Sequence, residues 1–308
     1  MTRLALIDGD VLAYHACKPR WEAKSKMRGV NYVSLDWDGS KIPLEFSKEE
    51  DAKYMEQSWN NFQNGLRLLI EESWSDDYLM AVKGKDNYRY DVYEDYKAPR
   101  HIAQEKKPNE VVPALRELAV MSDLAIASHG READDMLRIW ANESRAINQE
   151  YVICSIDKDL LCIPGLHFNM KHKTLTEITL SQANRHYYEQ LLKGDPTDNI
   201  PGVKGVGNVK AAKLISHVDT VEEFQEIVVE TYIEVYGEVA WENELLANGK
   251  MIHLQEHAED YFNFSNWPIV KELRRMGQIP LVIPQPEAQP VKVNSLKTKI
   301  DPSKIKFK

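Results

Sequence analysis

Four places in this sequence put carboxylates where chemistry on a phosphate could be done. Asp8 closes the apolar run Leu4, Ala5, Leu6, Ile7; Glu132, Asp134 and Asp135 fall together in GREADD; Asp157 and Asp159 follow the apolar run from Tyr151 to Ile156; Asp195 and Asp198 stand just ahead of Pro201. Like charges repel unless something positive sits between them, so acids gathered from distant parts of a chain point to divalent cations. The last pair is followed at once by Gly202, Gly205 and Gly207 and by Lys204, Lys210 and Lys213. Glycines permit a tight turn with exposed amides, and amides at a helix N-terminus beside lysines make a sequence-blind phosphate clamp. Metal ions held beside a phosphate backbone are the chemistry these residues suggest.

Each acid needs an element to present it. Short apolar runs that end in acids read as buried parallel strands, and open α/β sheets bind ligands at the carboxyl ends of such strands. The runs ending at Asp8 and Asp157 both fit, whereas Asp10 reads better as the cap of a helix beginning near Val11. Glu132 and Asp135 are three apart and share a helix face, with Asp134 beside them in the opening turn. A helix dipole favours acids there, but three exceed what it needs. Met55, Trp59, Phe62, Leu66, Leu69 and Ile70 recur at spacings of mostly three and four and predict a helix over 52–73. A strand is expected at 78–82, a helix at 111–121, a strand at 124–128, and helices at 180–192, 208–216, 222–236 and 242–253. Residues 18–51 are polar and broken by Gly29, Gly39 and Pro43, an excursion from the sheet. Residues 83–107 interleave cations with tyrosines, which suits phosphates and exposed bases, although a solvated face with half-buried tyrosines explains the same composition.

Size and charge set the frame. A chain of 308 residues can bury a large domain and a smaller one. There is no apolar run of membrane length, and Asp8 and Asp10 interrupt the N-terminus too early for a signal peptide, so a cytoplasmic protein with no membrane partner is expected. Cys17, Cys154 and Cys162 lack metal-ligand spacing and read as reduced, buried small hydrophobes. The net charge of −9 is unusual for a nucleic-acid binder. Setting aside the eight acids named above leaves a nearly neutral remainder, so the acidic total does not exclude one.

Five blocks, LIDGD at 6–10, YKAPR at 96–100, GREADD at 130–135, SIDKD at 155–159 and GDPTDNIPGVKGVG at 194–207, occur in the order in which they stand in the 5′ nuclease family of flap endonucleases and 5′→3′ exonucleases. The chain resembles that family from about Leu4 to Phe264, and its phage exonucleases most. The resemblance implies an α/β fold of the PIN-like, 5′ nuclease type, with a central, mostly parallel sheet flanked by helices and a C-terminal helix-three-turn-helix module. It places a nuclease domain at 1–180 with a helical arch at 83–115, a duplex-binding module at 181–279, and an extended or disordered basic tail at 280–308. By the same resemblance Asp8, Glu132, Asp134 and Asp135 surround one Mg²⁺, and Asp157, Asp159, Asp195 and Asp198 serve a second about 4 Å away, with Mn²⁺ able to substitute. Lys97 and Arg100 would grip the scissile phosphate, Tyr96 would stack on the terminal base, and Arg89 would contact DNA. Gly202, Lys204, Gly205, Gly207, Lys210 and Lys213 would hold the duplex, with K⁺ on the carbonyls of Val203 and Val206.

One departure stands out. Many family members carry a metal-site aspartate at the end of the second strand, where this chain has Val82, Lys83 and Gly84, with Asp86 the nearest acid. Either Asp86 substitutes or the first metal has one ligand fewer. The expected activity is hydrolysis near a free 5′ end, nick or flap of duplex DNA, or of an RNA–DNA hybrid, by a monomer. A PIN-like ribonuclease and a non-catalytic DNA-structure-binding protein are the rival readings.

Overall fold

The computed structural model describes residues 2–17, 34–35, 41–42, 48–99 and 110–279. In chain order they form β1 (Leu4–Asp8), α1 (Gly9–Ala16), β2 (Ser34–Leu35), β3 (Lys41–Ile42), α2 (Lys48–Glu72), β4 (Asp77–Val82), α3 (Arg89–Val92), α4 (Val111–Met121), β5 (Ile126–Ala127), α5 (Ala133–Ala146) and β6 (Tyr151–Ser155). A 3₁₀ turn (Lys158–Cys162) follows, then β7 (Gly165–Asn169), β8 (Thr174–Ile178), α6 (Leu180–Lys193), α7 (Asn208–Leu214), α8 (Val221–Ile252) and α9 (Pro268–Arg275).

The main sheet runs β5-β4-β1-β6-β7-β8. Its pairings are parallel except β7 with β8, so the expected mostly parallel sheet is present. Period-two alternation divides β1 and β6 between two cores. Ala5, Ile7, Val152 and Cys154 face the side covered by α1, α2 and α4, where Phe62, Leu66, Leu69, Val112 and Leu115 are buried. Leu6, Tyr151 and Ile153 face the other side, against Leu137 and Ala141 of α5. Covered on both faces, these strands had to be continuously apolar, as they are. A third core lies among α6 to α9, built on Leu191, Leu192, Phe224, Val228, Tyr232 and Trp241.

Several expectations shift. The helix foreseen at 52–73 begins at Lys48, and the strand foreseen at 124–128 shrinks to Ile126–Ala127. The two helices expected at 222–236 and 242–253 meet in α8 at Gly237, whose φ of 74° and ψ of 169° break the helical path. Strands β7 and β8 and helix α9 were not foreseen; β8 is almost wholly exposed, so it carries no alternation to read. Residues 18–33 of the polar excursion, Arg100, residues 101–109 of the arch and the tail from 280 lie outside the described residues. All three cysteines are free and buried, as composition implied.

Candidate metal and phosphate site

The acids converge at the carboxyl edge of the sheet. Asp8 ends β1 and is itself the cap of α1: its Oδ1 accepts from the backbone N–H groups of Asp10 and Val11, both at 3.2 Å. Ser155, at the end of β6, donates its hydroxyl to the other oxygen of Asp8 at 2.8 Å. The cap is thus Asp8, not Asp10. Asp10 instead accepts from Arg116 Nε at 2.7 Å and from the backbone N–H of Lys83 at 3.1 Å. Asp157 caps the 3₁₀ turn through the N–H of Asp159 at 2.9 Å, and Gln190 of α6 donates to Asp159 at 2.7 Å.

Two adjoining cavities collect these groups. The larger, about 220 Å³, is lined by Asp8, Asp10, Glu132, Asp134 and Asp157 on its acidic side and by Lys83, Lys97 and Arg116 among its cations. The smaller, about 40 Å³, shares Lys97, Glu132, Asp134 and Asp157 and adds Asp159, Asp195 and Asp198. Of the eight candidate metal ligands, seven therefore line one cavity or the other.

The electrostatics are those of crowded acids. Burial, then Asp10 and Asp157, push Asp8 up to about 6. Burial, then Asp157, Asp195 and Asp198, push Asp159 up to about 7. Asp134 lies well above its ordinary value, through burial and then Asp8, Asp157 and Glu132. Glu132 runs the other way: burial opposes its charge, but Lys97 and Arg89 outweigh that and hold it low. Lys97 Nζ is 2.5 Å from Glu132 Oε1 and 3.4 Å from Asp198 Oδ2. Its backbone N–H is tied to the carbonyl of Asp198 at 2.9 Å, and its φ is +58°.

Three candidate residues are placed differently from expectation. Asp135 is fully buried, and all four of its carboxylate lone-pair directions are taken, by Arg89 Nη1 at 2.7 Å, Arg89 Nη2 at 2.8 Å, Glu132 N at 2.8 Å and Gln255 N at 3.1 Å. That saturation leaves it no lone pair for a metal. Arg89 is equally buried and also donates to the carbonyls of Met251 and His253, so it joins α3 and α5 to the end of α8. Tyr96 is 2 % exposed, with its hydroxyl donating to Glu132 at 3.1 Å. Its ring is covered, packed edge-on against Tyr90 and under the Lys97 ammonium.

The glycine turn is built as a clasp. Asp195 and Ile200 exchange backbone hydrogen bonds, and a Cβ on Gly194 would lie 2.5 Å from Gly202 N, one on Gly202 2.3 Å from Gly194 N. No side chain fits at that crossing. Gly202 N–H donates to Asn248, while Tyr236 accepts from Lys204 N–H and donates to the carbonyl of Gly202. Lys204, Gly205, Gly207, Lys210 and Lys213 are exposed, and the side chains of Val203 and Val206 are buried. The Val203 carbonyl accepts from Val206 N–H at 2.9 Å.

The donor chemistry of the cavities suits a hard dication. Their potential ligands are carboxylate, amide and backbone oxygens, with no histidine or cysteine in either lining. Among the described residues, however, no three acids, histidines or cysteines stand grouped as a ready-made metal site. Lys97 draws Glu132 and Asp198 to itself, and Arg116 draws Asp10. Sequence reasoning missed Ser155, although it opens the SIDKD block, and missed Gln190 and Arg116, which no motif marks. Lys83 was noted as part of a basic stretch and as standing at the end of the second strand, where the resemblance leads one to expect an aspartate, but it was given no role of its own.

Comparisons with known proteins agree with this architecture. Residues 42–190 match the family model described as 5′-3′ exonuclease, N-terminal resolvase-like domain. DNA polymerase I of Bacillus caldotenax is 31% identical over 188 residues, which cover 56% of this chain and 21% of that protein. The thermostable DNA polymerase I of Thermus thermophilus is 28% identical over 165 residues, 51% of this chain and 20% of that protein. The chain spans about a fifth of the length of the curated relatives it matches. Among solved structures, the phage T5 protein co-crystallized with metal ions aligns with a TM-score of 0.52 at 13% identity, over 81% of this chain and 95% of that one. A complex of the bacteriophage T5 flap endonuclease with DNA and metal ions aligns at 0.50 and 14% identity, over 81% and 94%. These likenesses establish the shared fold. Residues 42–190 thus match the N-terminal resolvase-like domain of the 5′-3′ exonucleases, and the fold around them is the one these solved structures share.

Proposed function

We propose that this chain is a Mg²⁺-dependent 5′ nuclease that hydrolyses phosphodiester bonds near a free 5′ end, nick or flap of duplex DNA. The observation that carries the reading is the convergence of acids from the end of β1, the turn after β6, the start of α5 and the 194–200 loop on two adjoining cavities that share Lys97. Carboxylates facing a phosphate backbone weaken binding unless cations intervene, so a purely DNA-binding role does not explain them.

Asp8, Glu132 and Asp134 would hold one ion, and Asp157, Asp159, Asp195 and Asp198 the second, with Mn²⁺ able to replace Mg²⁺. The bound ions supply Lewis acidity to the phosphate and to the attacking water. The chain's own residues do the rest. Ser155 fixes the Asp8 carboxylate, and Gln190 fixes that of Asp159. Lys97 brings positive charge to where the phosphate gains negative charge, and Arg100 joins it by the family resemblance. When substrate enters, the Lys97 ammonium leaves Glu132 and Asp198 for the phosphate and frees both acids. Gly202 to Lys213 grips the duplex by its backbone, with K⁺ on the carbonyls of Val203 and Val206, so geometry rather than base sequence selects the cut. The protein acts as a cytoplasmic monomer in replication, primer removal or recombination, in the host cytoplasm if it is phage-encoded, and accepts RNA–DNA hybrids.

The test uses 5′-labelled nicked, blunt and flapped duplexes with Mg²⁺, with and without chelator. Cleavage should require the metal, and product length separates exonuclease from flap endonuclease. Unchanged cleavage by the Asp157→Asn, Asp198→Asn double variant would sink the metal assignment. Lys97→Ala should slow cleavage far more than it weakens duplex binding.

A further inference from the structure

The larger cavity has a cationic wall that metal binding does not explain. Lys83 stands directly after β4, beside the strand that ends in Asp8, and its backbone N–H is pinned to Asp10. Lys83 lines the cavity, and its ammonium has no hydrogen-bond or ion-pair partner among the described residues. Arg116, from the middle of α4, uses only Nε on Asp10; its two terminal nitrogens are likewise without partners among the described residues. The group is crowded: burial, then Arg116 and Lys97, hold Lys83 below its ordinary value. Gly84 fixes the position, because a Cβ there would lie 1.5 Å from the carbonyl oxygen of Ser128, so the chain after Lys83 is pressed against the start of the 128–132 loop.

Cations that repel one another at the mouth of an acid-lined cavity are relieved by an anion. A guanidinium with two free N–H-bearing nitrogens beside an ammonium matches a phosphate, which offers several oxygens at once. We propose that Lys83 and Arg116 form a phosphate subsite of the nucleic-acid substrate, separate from the phosphate that Lys97 serves. This rests on the nuclease reading above and adds to it a specificity element. The ligand is either the terminal 5′ monoester or an internal diester one nucleotide or more away from the cut.

The experiment measures binding of nicked duplexes by fluorescence anisotropy in chelator, at several salt concentrations, and cleavage in Mg²⁺. Lys83→Gln should weaken chelator-phase binding about five- to tenfold and lower the slope of log affinity against log salt by about one. It should raise KM with kcat within about twofold, and Lys83→Arg should restore both. If the loss is confined to 5′-phosphorylated ends, the subsite takes the terminal monoester; if 5′-hydroxyl ends lose as much, it takes an internal phosphate. Either supports the subsite. Wild-type affinity and salt slope in both Lys83→Gln and Arg116→Gln would overturn it. A wild-type protein that neither binds nor cuts would instead overturn the nuclease reading.

Discussion

Asp134 and Asp135 are neighbours in the first turn of α5, yet one belongs to the acid-lined cavities and the other to the wall behind them. Asp134 faces Asp8, Asp157 and Glu132, and its carboxyl is driven well up by burial and by those acids. Asp135 meets Arg89 through two hydrogen bonds, and that partner, with two backbone N–H groups, overcomes burial and holds it low. The residue type is the same; the partners differ. The front of the site gathers like charge that does nothing for stability, and the back neutralises its charge pair for pair and ties α3, α5 and α8 together.

This contrast can be broken by substitution. Asp134→Asn should lower kcat/KM at least a thousandfold, about 4 kcal/mol, while leaving the chelated protein as stable as wild type or slightly more so, because it removes one of several repelling charges. A marked fall in its urea midpoint would erase the distinction between front and back. Arg89→Ala should cost about 3–5 kcal/mol in stability by stranding a buried carboxylate, visible as a melting temperature lowered by about 10 °C or more. Arg89→Lys should rescue little, since an ammonium cannot make the paired contact. Unchanged melting in Arg89→Ala would show that the wall does not hold the domain together.

His186 on α6 sharpens the same point with a group that folding keeps neutral. Burial, then Lys193, pull it down to about 4, and its Nε2 is buried without a partner among the described residues. Its unfolded form takes up a proton near 6.5 and its folded form only near 4. The stability it contributes is therefore complete above pH 6.5 and lost as pH falls through 4, by about 2 kcal/mol at pH 5 and about 3 kcal/mol at pH 4. Denaturant titrations at pH 7 and pH 5 should show this slope, and His186→Gln should flatten it. The smallest effect is expected at the glycine turn. Tyr236→Phe removes a hydroxyl that bridges Lys204 N–H and the Gly202 carbonyl, and should weaken duplex binding about threefold without changing kcat. Equal losses in kcat would mean that the turn acts on the chemistry.

Much of the frame could be read in advance. Strand-end acids, the GREADD opening turn and the apolar stripe of α2 all have periodicities or positions that follow from covalent geometry. The misreadings have one physical source: a sequence does not say which of two adjacent polar side chains points inward. The family resemblance assigns Arg89 and Tyr96 to DNA, yet both side chains are buried by contacts to residues from about 35 to 165 positions away. Asp8 takes the capping role expected of Asp10 for a related reason, since either can cap a helix that starts between or just after them. Arg116 was invisible because nothing local marks a mid-helix arginine whose partner lies 106 residues earlier.

The crossing of Gly194 and Gly202 has a mechanical consequence. With no room for a side chain at the contact and hydrogen bonds closing both ends, the loop that bears Asp195 and Asp198 cannot slide against the lysine-bearing turn. The two are built as one unit, so a displacement imposed on the turn should carry the acid-bearing loop with it.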